Sequence, residues 1–577
     1  MTMQYQIKNK FNVTHFGTIC CIVALLMNSN ISKAQQSKSE GNDLGTEQVN
    51  VVQEYKPTII DAVKLNDNPA INDSTPLNPK LSYSFLPKKY DKNFELEPIA
   101  AAKMKGEPLS KIYRSYVKVG LGTYTTPYAE AFVNSLRKKE YSVGARAKHL
   151  SSTYKSKDLG YAGFSDNEIG FFGKYFKGDN IVSANLDYTY NGMHYYGVDR
   201  LFSDTVLNKK QTEQAYGNFG IGANLLSTHH DSDKLNYEAN LKYYNFTEQG
   251  PAFENNFFVD ATLSKFVKTE LFGANVAVDY YSNTTSVKEF SEALVTIAPF
   301  VRAAQEKWQA TIGIKVTIES SSGKTHFFPN LHAKYNVVEN ILAVYLDVDG
   351  KTERNSYKKL AQENPFILSS LPIDNTNIPL NATLGFRGNF SSEISFHVSG
   401  TYASLKAMPL YVNYAYNLEQ SRFTVLYDDA NFMNVHGELA YTKNTKFRLG
   451  AKVDYNYYAM ANEVKAWHKP SLQLAITGKY NLQDKIWILA DVFTINKQYA
   501  KISEIVGFEP VSKQPLISES TRELKGIADI NIGVEYLYNK RLSAFVKFNN
   551  IAAYRYYRWN NYPTQRFNLM AGISYAF

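Results

Sequence analysis

The C-terminal stretch Arg566-Phe-Asn-Leu-Met-Ala-Gly-Ile-Ser-Tyr-Ala-Phe577 decides the fold of this chain. Its apolar residues recur with a period of two, and successive residues of a strand point to opposite faces. One face would carry Phe567, Leu569, Ala571, Ile573, Tyr575 and Phe577, and the other Arg566, Asn568, Gly572 and Ser574. The pattern predicts a strand with lipid on one face and a wet interior on the other. A strand of a soluble β-sandwich can alternate in the same way. The rest of the chain must therefore distinguish a membrane barrel from a soluble sandwich.

The polypeptide also ends on an aromatic residue, in the pattern Gly572-x-x-Tyr575-x-Phe577. This ending resembles the terminal signal by which bacterial outer-membrane barrels are inserted. Met570 departs from the family pattern, which usually has a polar residue at that position. The resemblance implies that Gly572, Tyr575 and Phe577 form an assembly signal, and that the barrel assembly machinery and outer-membrane lipid are partners of this chain.

Composition favours one continuous β architecture. No linker divides the chain of 577 residues after about residue 110. Aromatic residues make up 14%, yet the mean hydropathy is slightly negative, as expected when lipid-facing and water-facing positions alternate. No apolar run reaches the roughly 18 residues that a spanning helix needs. The net charge of +9 is spread along the chain, which argues against nucleic acid as a partner.

The N-terminus predicts export. Lys8 and Lys10 precede an apolar core over residues 16–27, and Ser32-Lys33-Ala34 places small residues where a signal peptidase cleaves. We therefore expect residues 1–34 to be a signal peptide. Both cysteines, Cys20 and Cys21, lie inside it. The mature chain then has no cysteine, which excludes disulfides, thiolate catalysis and cysteine-bound metals.

Residues 35–110 differ from the rest, because seven prolines fall there and proline is excluded from helix interiors and central strands. We expect an extended segment that is either periplasmic or inserted into the lumen. Its start, Glu47-Gln-Val-Asn-Val-Val52, resembles the short box through which TonB-dependent receptors are energised. A periplasmic tether that docks another protein is the alternative interpretation.

Two further stretches, Tyr55-Lys-Pro-Thr-Ile-Ile-Asp-Ala-Val-Lys64 and Tyr116-Val-Lys-Val-Gly-Leu-Gly-Thr-Tyr-Thr-Thr-Pro127, are similar to outer-membrane proteins of Bacteroidetes-type bacteria that are grouped with TonB-dependent receptors. The resemblance implies a barrel over residues 111–577. The 76 residues from Gln35 to Ser110 are fewer than the plug domain of that family has, so the plug is expected to be shortened or absent.

Charged residues mark the predicted inner face. On three well-patterned segments, apolar residues alternate with polar ones, and the polar face includes Arg448, Lys452, Asp454, Asp529 and Glu535. These charges would lack water in a sandwich or a small filled barrel. A wide lumen is therefore predicted, and these five residues are expected to face it.

Connections predict the topology. Short polar turns such as 177–180, 267–270, 482–485 and 538–541 alternate with longer connections near 150–165, 194–211, 350–379, 404–430, 496–525 and 552–564. This predicts a transmembrane antiparallel β-barrel of about 22 strands in the outer membrane of a Gram-negative cell, with both termini periplasmic. Residues 421–428 are assigned to an outer loop. Tyrosine clusters at 188–196, 280–281, 455–458 and 554–562 are expected to form an interfacial girdle.

Chemical motifs are scarce. His229-His230-Asp231 has no third ligand near in sequence, so a solvated turn is preferred to a metal site. Asp347-Val-Asp-Gly350 lacks the later acidic positions of a calcium loop and is predicted to be a strand end. No cofactor, metal site or enzymatic activity is predicted.

Two functions remain open. The first is uptake or passage of a solute by a barrel similar to TonB-dependent receptors, with a TonB-type energiser as a possible partner. The second is a non-transporting structural, adhesion or envelope-complex role, with a lipoprotein as a possible partner. The expected length of the plug separates them, because a shortened plug argues against energised import.

Overall fold

The structure is a computed structural model that describes residues 113–577, except 136–137, 158, 200–207, 230–233, 286–288, 415–420 and 510–514. The predicted signal peptide (1–34), with Cys20 and Cys21, and the predicted extended segment (35–110) lie outside the described residues. In the part of the chain that is described, no helix has the length and apolar character needed to cross a membrane.

The described residues form mainly β-strands. In chain order the strands are β1 (Ser115–Gly122), β2 (Thr126–Asn134), β3 (Tyr141–Ser152), β4 (Lys155–Ser156), β5 (Gly160–Tyr161), β6 (Phe164–Lys177), β7 (Asn180–His194), β8 (Glu213–Ser227), β9 (Asn236–Glu248), β10 (Phe253–Val267), β11 (Glu270–Thr284), β12 (Glu289–Ala304), β13 (Trp308–Glu319), β14 (Thr325–Val338), β15 (Leu342–Glu353), β16 (Thr376–Asn389), β17 (Ile394–Asn413), β18 (Phe423–Lys443), β19 (Phe447–Met460), β20 (Leu472–Leu482), β21 (Ile486–Ile495), β22 (Gln498–Phe508), β23 (Pro515–Leu524), β24 (Ile527–Leu537), β25 (Leu542–Asn549), β26 (Tyr557–Trp559), β27 (Tyr562–Pro563) and β28 (Asn568–Ala576). The described residues also form two short helices, α1 (Lys209–Thr212) and α2 (Tyr357–Glu363).

Twenty-two of these strands form one closed antiparallel sheet, which confirms the predicted barrel and its strand number. The pairs β4–β5, β22–β23 and β26–β27 are separate hairpins within the connections. The ring closes between β1 and β28, where Val119 pairs with Ile573. Phe577 strengthens this seam, because its N–H donates to the carbonyl of Ser115 at 2.9 Å. A closed sheet has no free edge, as a lipid environment requires.

The outer face of the barrel is apolar. Large hydrophobic side chains are more than half exposed there, including Leu121, Ile312 and Phe327 at 63%, 64% and 67%. A protein surrounded by water rarely exposes a continuous apolar band, because each Å² left in water costs about 25 cal/mol. The band indicates a surface that faces hydrocarbon.

The connections differ between the two ends of the barrel. At the turn end, most connections are short: Gly178-Asp179 links β6 to β7, and Gln483, with a φ of 54°, begins the three-residue connection of β20 to β21. At the loop end, the connections include residues 195–212, 354–375, 496–526 and 550–567. The predicted alternation of short turns and longer loops is therefore confirmed in part, because other loop-end connections, such as 123–125 and 249–252, are as short as the turns.

The predicted long loop 404–430 is wrong. β17 and β18 continue as a paired hairpin as far as Asn413 and Phe423, so the connection is only residues 414–422. Most of the segment 421–428, assigned to the outer loop from strand parity, is the start of β18. The requirement for an even number of membrane-crossing strands fixes how often the chain crosses. It does not limit how far a strand continues past the membrane surface.

The predicted tyrosine girdle is only partly correct. Tyr280, Tyr455 and Tyr457 lie on the outer face and are 45% to 50% exposed. Tyr281 and Tyr562 are buried inside the loop end instead. Adjacent residues of a strand face opposite sides, so a Tyr-Tyr pair such as 280–281 divides between lipid and lumen.

Candidate functional site

The predicted lumen charges Arg448, Lys452 and Asp454 lie on β19. Lys452 Nζ is 3.6 Å from Asp454 Oδ2, and Asp454 Oδ1 is 2.8 Å from Nδ1 of His436 on the neighbouring strand β18. Arg448 is exposed close to the turn end. All three share the strand face opposite to the exposed apolar residues. That these charges face a wide, wet lumen remains a prediction.

The other two predicted charges, Asp529 and Glu535, lie on β24, and β20 and β21 separate them from β19. The hydroxyl of Tyr556 donates to Asp529 at 2.9 Å. Glu535 accepts a hydrogen bond from Ser543 at 2.5 Å and lies 3.8 Å from Lys118 Nζ. The five residues therefore do not converge on one site.

Gly572, Tyr575 and Phe577, the predicted assembly signal, all lie at the closing seam. Tyr575 and Phe577 are 44% and 54% exposed, and their rings stack at 6.1 Å. Gly572 is on the other face, opposite Phe545 of β25. The structure thus gives these residues a place in barrel closure, while recognition by the assembly machinery stays a prediction.

A packed aromatic layer, here called the roof, covers the loop-end mouth. It consists of α2 with residues 364–371, the end of the β17–β18 hairpin and the β26–β27 hairpin. Its core joins residues of β8 and β9 to residues of β17 and β18. Around the barrel, seven strands lie between these two strand pairs in one direction and eleven in the other, so the core spans the lumen. The buried members are Tyr216, Phe246, Ala252, Tyr357, Leu360, Ala361, Ile367, Leu371, Tyr411, Phe423, Val425, Trp559 and Tyr562.

Tyr562 is at the centre of the roof. Its ring stacks on Phe366 at a centroid distance of 3.5 Å, and its hydroxyl donates to the carbonyl of Ser421. Burial raises the pKa of Tyr562 well above its ordinary value, so it stays a neutral donor. Tyr195 adds a second link, since its hydroxyl donates to the carbonyl of Ile367 at 2.9 Å.

Two buried carboxylates hold the roof to the wall. Glu254 is fully buried and accepts hydrogen bonds from the hydroxyls of Tyr244 and Tyr281, at 2.9 and 2.7 Å, and from the N–H of Lys358 at 3.1 Å. Lys358 belongs to α2. Such bonds replace those that a carboxylate makes with water, which makes its burial tolerable.

Glu248, at the end of the neighbouring strand β9, also holds the roof to the wall. It accepts from the hydroxyl of Tyr357 at 2.5 Å, from Gln214 Nε2 at 3.2 Å and from the N–H of Ala252 at 3.1 Å. The sequence did not identify either carboxylate, because the roof partners Tyr357 and Lys358 lie 109 and 104 residues away and no local pattern marks the contact.

Ion pairs fix the base of the roof. Arg354, at the end of β15, lies 3.1 Å from Asp279 and 3.0 Å from Glu292, and its side chain is only 7% exposed. Lys469 lies 2.5 Å from Glu363 at the end of α2. Removal of one partner of a buried pair leaves an uncompensated charge and costs several kcal/mol, typically about 3 to 5.

Two cavities lie along strands β13–β19, the first towards the turn end and the second at the base of the roof. The larger, about 560 Å³, is lined by residues that include His332, Tyr345, Asp347, Arg387 and His397. The second, about 390 Å³, includes lining residues at the base of the roof: Lys351, Glu353, Lys359, Glu363, Tyr458 and Lys469. Charges of both signs line each cavity, so a polar or charged molecule suits them better than an apolar one.

The structure describes one residue of the histidine motif and all of the Asp347–Gly350 motif. His229 Nδ1 lies 3.2 Å from Asp179 Oδ2, and His230 and Asp231 lie outside the described residues. Asp347 and Asp349 are on strand β15, where they contact His332 and Lys315 at 2.8 and 3.8 Å. The predicted strand is confirmed in place of a calcium loop.

Comparison with solved structures agrees with this geometry. The chain has the barrel fold of outer-membrane receptors. It is similar to the FrpB iron transporter of Neisseria meningitidis, with 9% identity, a TM-score of 0.61 and coverage of 81% of this chain and 82% of that one. It is also similar to the ferric-catecholate import receptor Fiu of E. coli K12, with 8% identity, a TM-score of 0.59 and coverage of 81% and 82%.

The ferripyoverdine receptor of the outer membrane of Pseudomonas aeruginosa gives 12% identity and a TM-score of 0.58, over 81% of this chain and 72% of that one. No protein-family model and no curated protein matches the sequence. Identities this low show a shared fold and leave the ligand open.

Proposed function

We propose that this protein is a receptor-like barrel of the Gram-negative outer membrane, similar to TonB-dependent receptors, that takes part in passage of a solute. The observation that carries the proposal is a 22-stranded barrel with a charged inner wall and a roof over one mouth. A barrel this wide is not filled by its own wall side chains. A polar lumen with a cover is the arrangement that controlled passage needs.

The roof acts as the outer gate in this proposal. Its base adjoins the smaller cavity, where Lys351, Lys359 and Lys469 lie near Glu353 and Glu363. A polar solute that entered there would compete for ion pairs such as Lys469–Glu363. Solute binding would therefore weaken the contacts that keep the roof in place.

Residues 35–110 complete the proposal as a reduced plug. They are expected to enter the lumen from the periplasmic mouth, with residues 47–52 reaching a TonB-type energiser. Their charged residues Lys88, Lys89, Lys92 and Glu95 can pair with wall charges. A lipoprotein partner at the outer mouth is compatible with the same arrangement.

A second candidate is a non-transporting structural or adhesion barrel, and one observation favours it. The Tyr357 hydroxyl and the N–H of Lys358, both in α2, donate hydrogen bonds to Glu248 and Glu254 of the wall. Opening the roof would break both bonds and leave each buried carboxylate short of one donor, which is costly unless a ligand or partner replaces them. A permanently closed roof would suit a surface that only binds.

Planar-bilayer conductance separates the two candidates. The full chain should be nearly silent, and a variant that lacks residues 40–105 and carries Tyr562→Ala should show large, steady openings. The matched control combines the same deletion with Tyr536→Ala, which removes an outer-face tyrosine that is 45% exposed. The control should stay closed by its roof. Silence of every folded variant would refute passage and support the structural candidate.

A further inference from the structure

Two histidines and a glutamate converge on the inner wall, on the neighbouring strands β17 and β18. His397 and Glu438 are direct cross-strand partners, and His436 lies two residues before Glu438 on the same face. One ring nitrogen of each histidine and one carboxylate oxygen of Glu438 lie within 4.8 Å of one another. Nitrogen and oxygen donors in this number are the usual protein ligands of Zn²⁺ and related ions.

The neighbours of His436 orient its ring. Asp454 Oδ1 lies 2.8 Å from Nδ1, so Nδ1–H donates to the carboxylate and Nε2 keeps its lone pair. That Nε2 faces Glu438, whose Oε2 is 3.9 Å away. A carboxylate that holds the far nitrogen of an imidazole is the usual outer partner of a metal-bound histidine.

His397 has a comparable partner. The hydroxyl of Tyr345 lies 2.7 Å from Nε2 and can accept a hydrogen bond from Nε2–H, which leaves the lone pair on Nδ1. The His397 and His436 ring centroids are 5.2 Å apart. Both imidazoles are thus held by outer hydrogen bonds before any ion binds.

A simple polar network explains the cluster less well. The His436–Glu438 separation of 3.9 Å is too long for a hydrogen bond, although the two groups share one face. Ligand atoms around a tetrahedral Zn²⁺ ion are roughly 3.3 Å apart, given bonds of about 2.0 to 2.1 Å. The half-exposed side chain of Glu438 can make that adjustment with little cost.

We propose that His397, His436 and Glu438 bind a divalent transition-metal ion of the zinc class, with a coordination position open to the lumen. His397 also lines the cavity of about 560 Å³, together with Arg387, its cross-strand partner on β16. A guanidinium beside the open position favours an anionic fourth ligand. The site would therefore hold either a water-bound ion or an ion that carries an anionic ligand. The inference goes beyond solute passage and does not depend on it.

Isothermal titration of Zn²⁺ into the full-length, EDTA-treated barrel in detergent tests the site. The expected result is one bound equivalent, with a Kd at least tenfold weaker after His397→Gln, His436→Gln or Glu438→Gln. Asp454→Asn, which removes an outer partner, should weaken Kd by about 10- to 100-fold. Co²⁺ should give visible absorption bands typical of a tetrahedral site in the unmodified protein, and these bands should be lost in His436→Gln.

Two histidines outside the cluster provide matched controls. His332→Gln changes a wall histidine in the same cavity, and His229→Gln changes the one in the turn-end motif. Both variants should bind Zn²⁺ as the unmodified protein does. Absence of a bound equivalent in the folded full chain, unchanged binding in His436→Gln, or loss of binding in His229→Gln would overturn the proposal. Retention of the heat-modifiable band in each variant distinguishes lost ligands from lost folding.

Discussion

The ring of Phe545 occupies the space that a side chain on Gly572 would need. The two residues are cross-strand partners at the barrel seam, and a Cβ atom on Gly572 would lie 2.5 Å from Cζ of Phe545. The same atom would also meet the backbone carbonyl oxygen of Val119 on β1. The seam therefore closes with an aromatic ring packed over a strand glycine, an arrangement that pins strand register.

Gly572→Ala should destabilise the closed barrel because the added methyl group meets backbone as well as the ring. Overpacking of this kind costs about 1 to 3 kcal/mol. Gly400→Ala is the matched control, since a Cβ at Gly400 meets nothing within 4 Å. The urea midpoint of the heat-modifiable band should fall for Gly572→Ala and stay nearly unchanged for Gly400→Ala. Equal midpoints would contradict the packing explanation.

Phe577 should matter for assembly more than its contact area explains. Its side chain is 54% exposed on the outer face, and Phe567 is 37% exposed on the same face. Burial of either ring in lipid is worth about 2 to 3 kcal/mol. Phe577→Ala keeps the backbone bonds to Ser115, so a loss of folded barrel in cells well beyond that of Phe567→Ala would indicate recognition of the terminal aromatic.

The same two variants can be refolded from urea into detergent without any assembly machinery. Phe577→Ala and Phe567→Ala should then fold in similar yield, because each variant loses only the lipid-facing area of one aromatic ring. A defect of Phe577→Ala that is equally large in both settings would make the residue a structural contact and would contradict the assembly signal.

The barrel could be predicted from sequence because its information is local. Period-two alternation fixes which face of β19 or β28 meets lipid, and turn lengths fix the order of the strands. The roof depends on contacts such as Arg354 with Asp279 or Tyr562 with Phe366, which lie 75 and 196 residues apart in sequence. No local pattern encodes such pairs, so Tyr562, which lies in a connection, looked the same as a girdle tyrosine.

The His397–His436–Glu438 cluster was missed for a related reason. The two histidines are 39 residues apart, and only the pairing register of β17 with β18 places them side by side. The connection 414–422 joins these two strands, and the loop of a hairpin fixes how its strands pair. The pattern predicted a long loop over 404–430 instead, so the pairing of β17 with β18 at this end was not anticipated.

The orientation of the barrel should be visible by labelling with an impermeant maleimide. Val464, between β19 and β20 at the loop end, is 80% exposed, and Tyr538 at the turn end is 64% exposed. If the loop end is extracellular, Val464→Cys should react on intact cells and Tyr538→Cys only after the outer membrane is permeabilised. The predicted mature chain has no other cysteine. Reaction of Tyr538→Cys alone on intact cells would reverse the topology.

Acidification should loosen the roof through His468, which lies between β19 and β20. Its Nδ1–H donates to the carbonyl of Tyr411 at 3.1 Å, and its Nε2 accepts the N–H of Asn560 at 3.3 Å, so the neutral ring is satisfied on both sides. Burial lowers the pKa of His468 from 6.5 to about 4. A released, solvated His468 takes up a proton at higher pH than the packed one does. The packed, neutral His468 therefore stabilises the roof fully above about pH 6.5, and this stabilisation declines as the pH falls towards 4. The shift in the pKa corresponds to a stabilisation of ~3 kcal/mol.

Tryptophan fluorescence can follow this change, because Trp467 is adjacent and the ring of Trp559 is 5.1 Å from that of His468. The emission of the folded barrel should shift to the red between pH 6.5 and 4, and limited proteolysis of residues 550–567 should increase over the same range. His468→Gln should weaken the roof at neutral pH and remove the dependence on pH within that window, since an amide does not titrate. His332→Gln changes a wall histidine outside the roof, and this variant should keep the dependence on pH. A transition of equal size in His468→Gln would assign the effect to other groups, such as the carboxylates, and would remove His468 as its source.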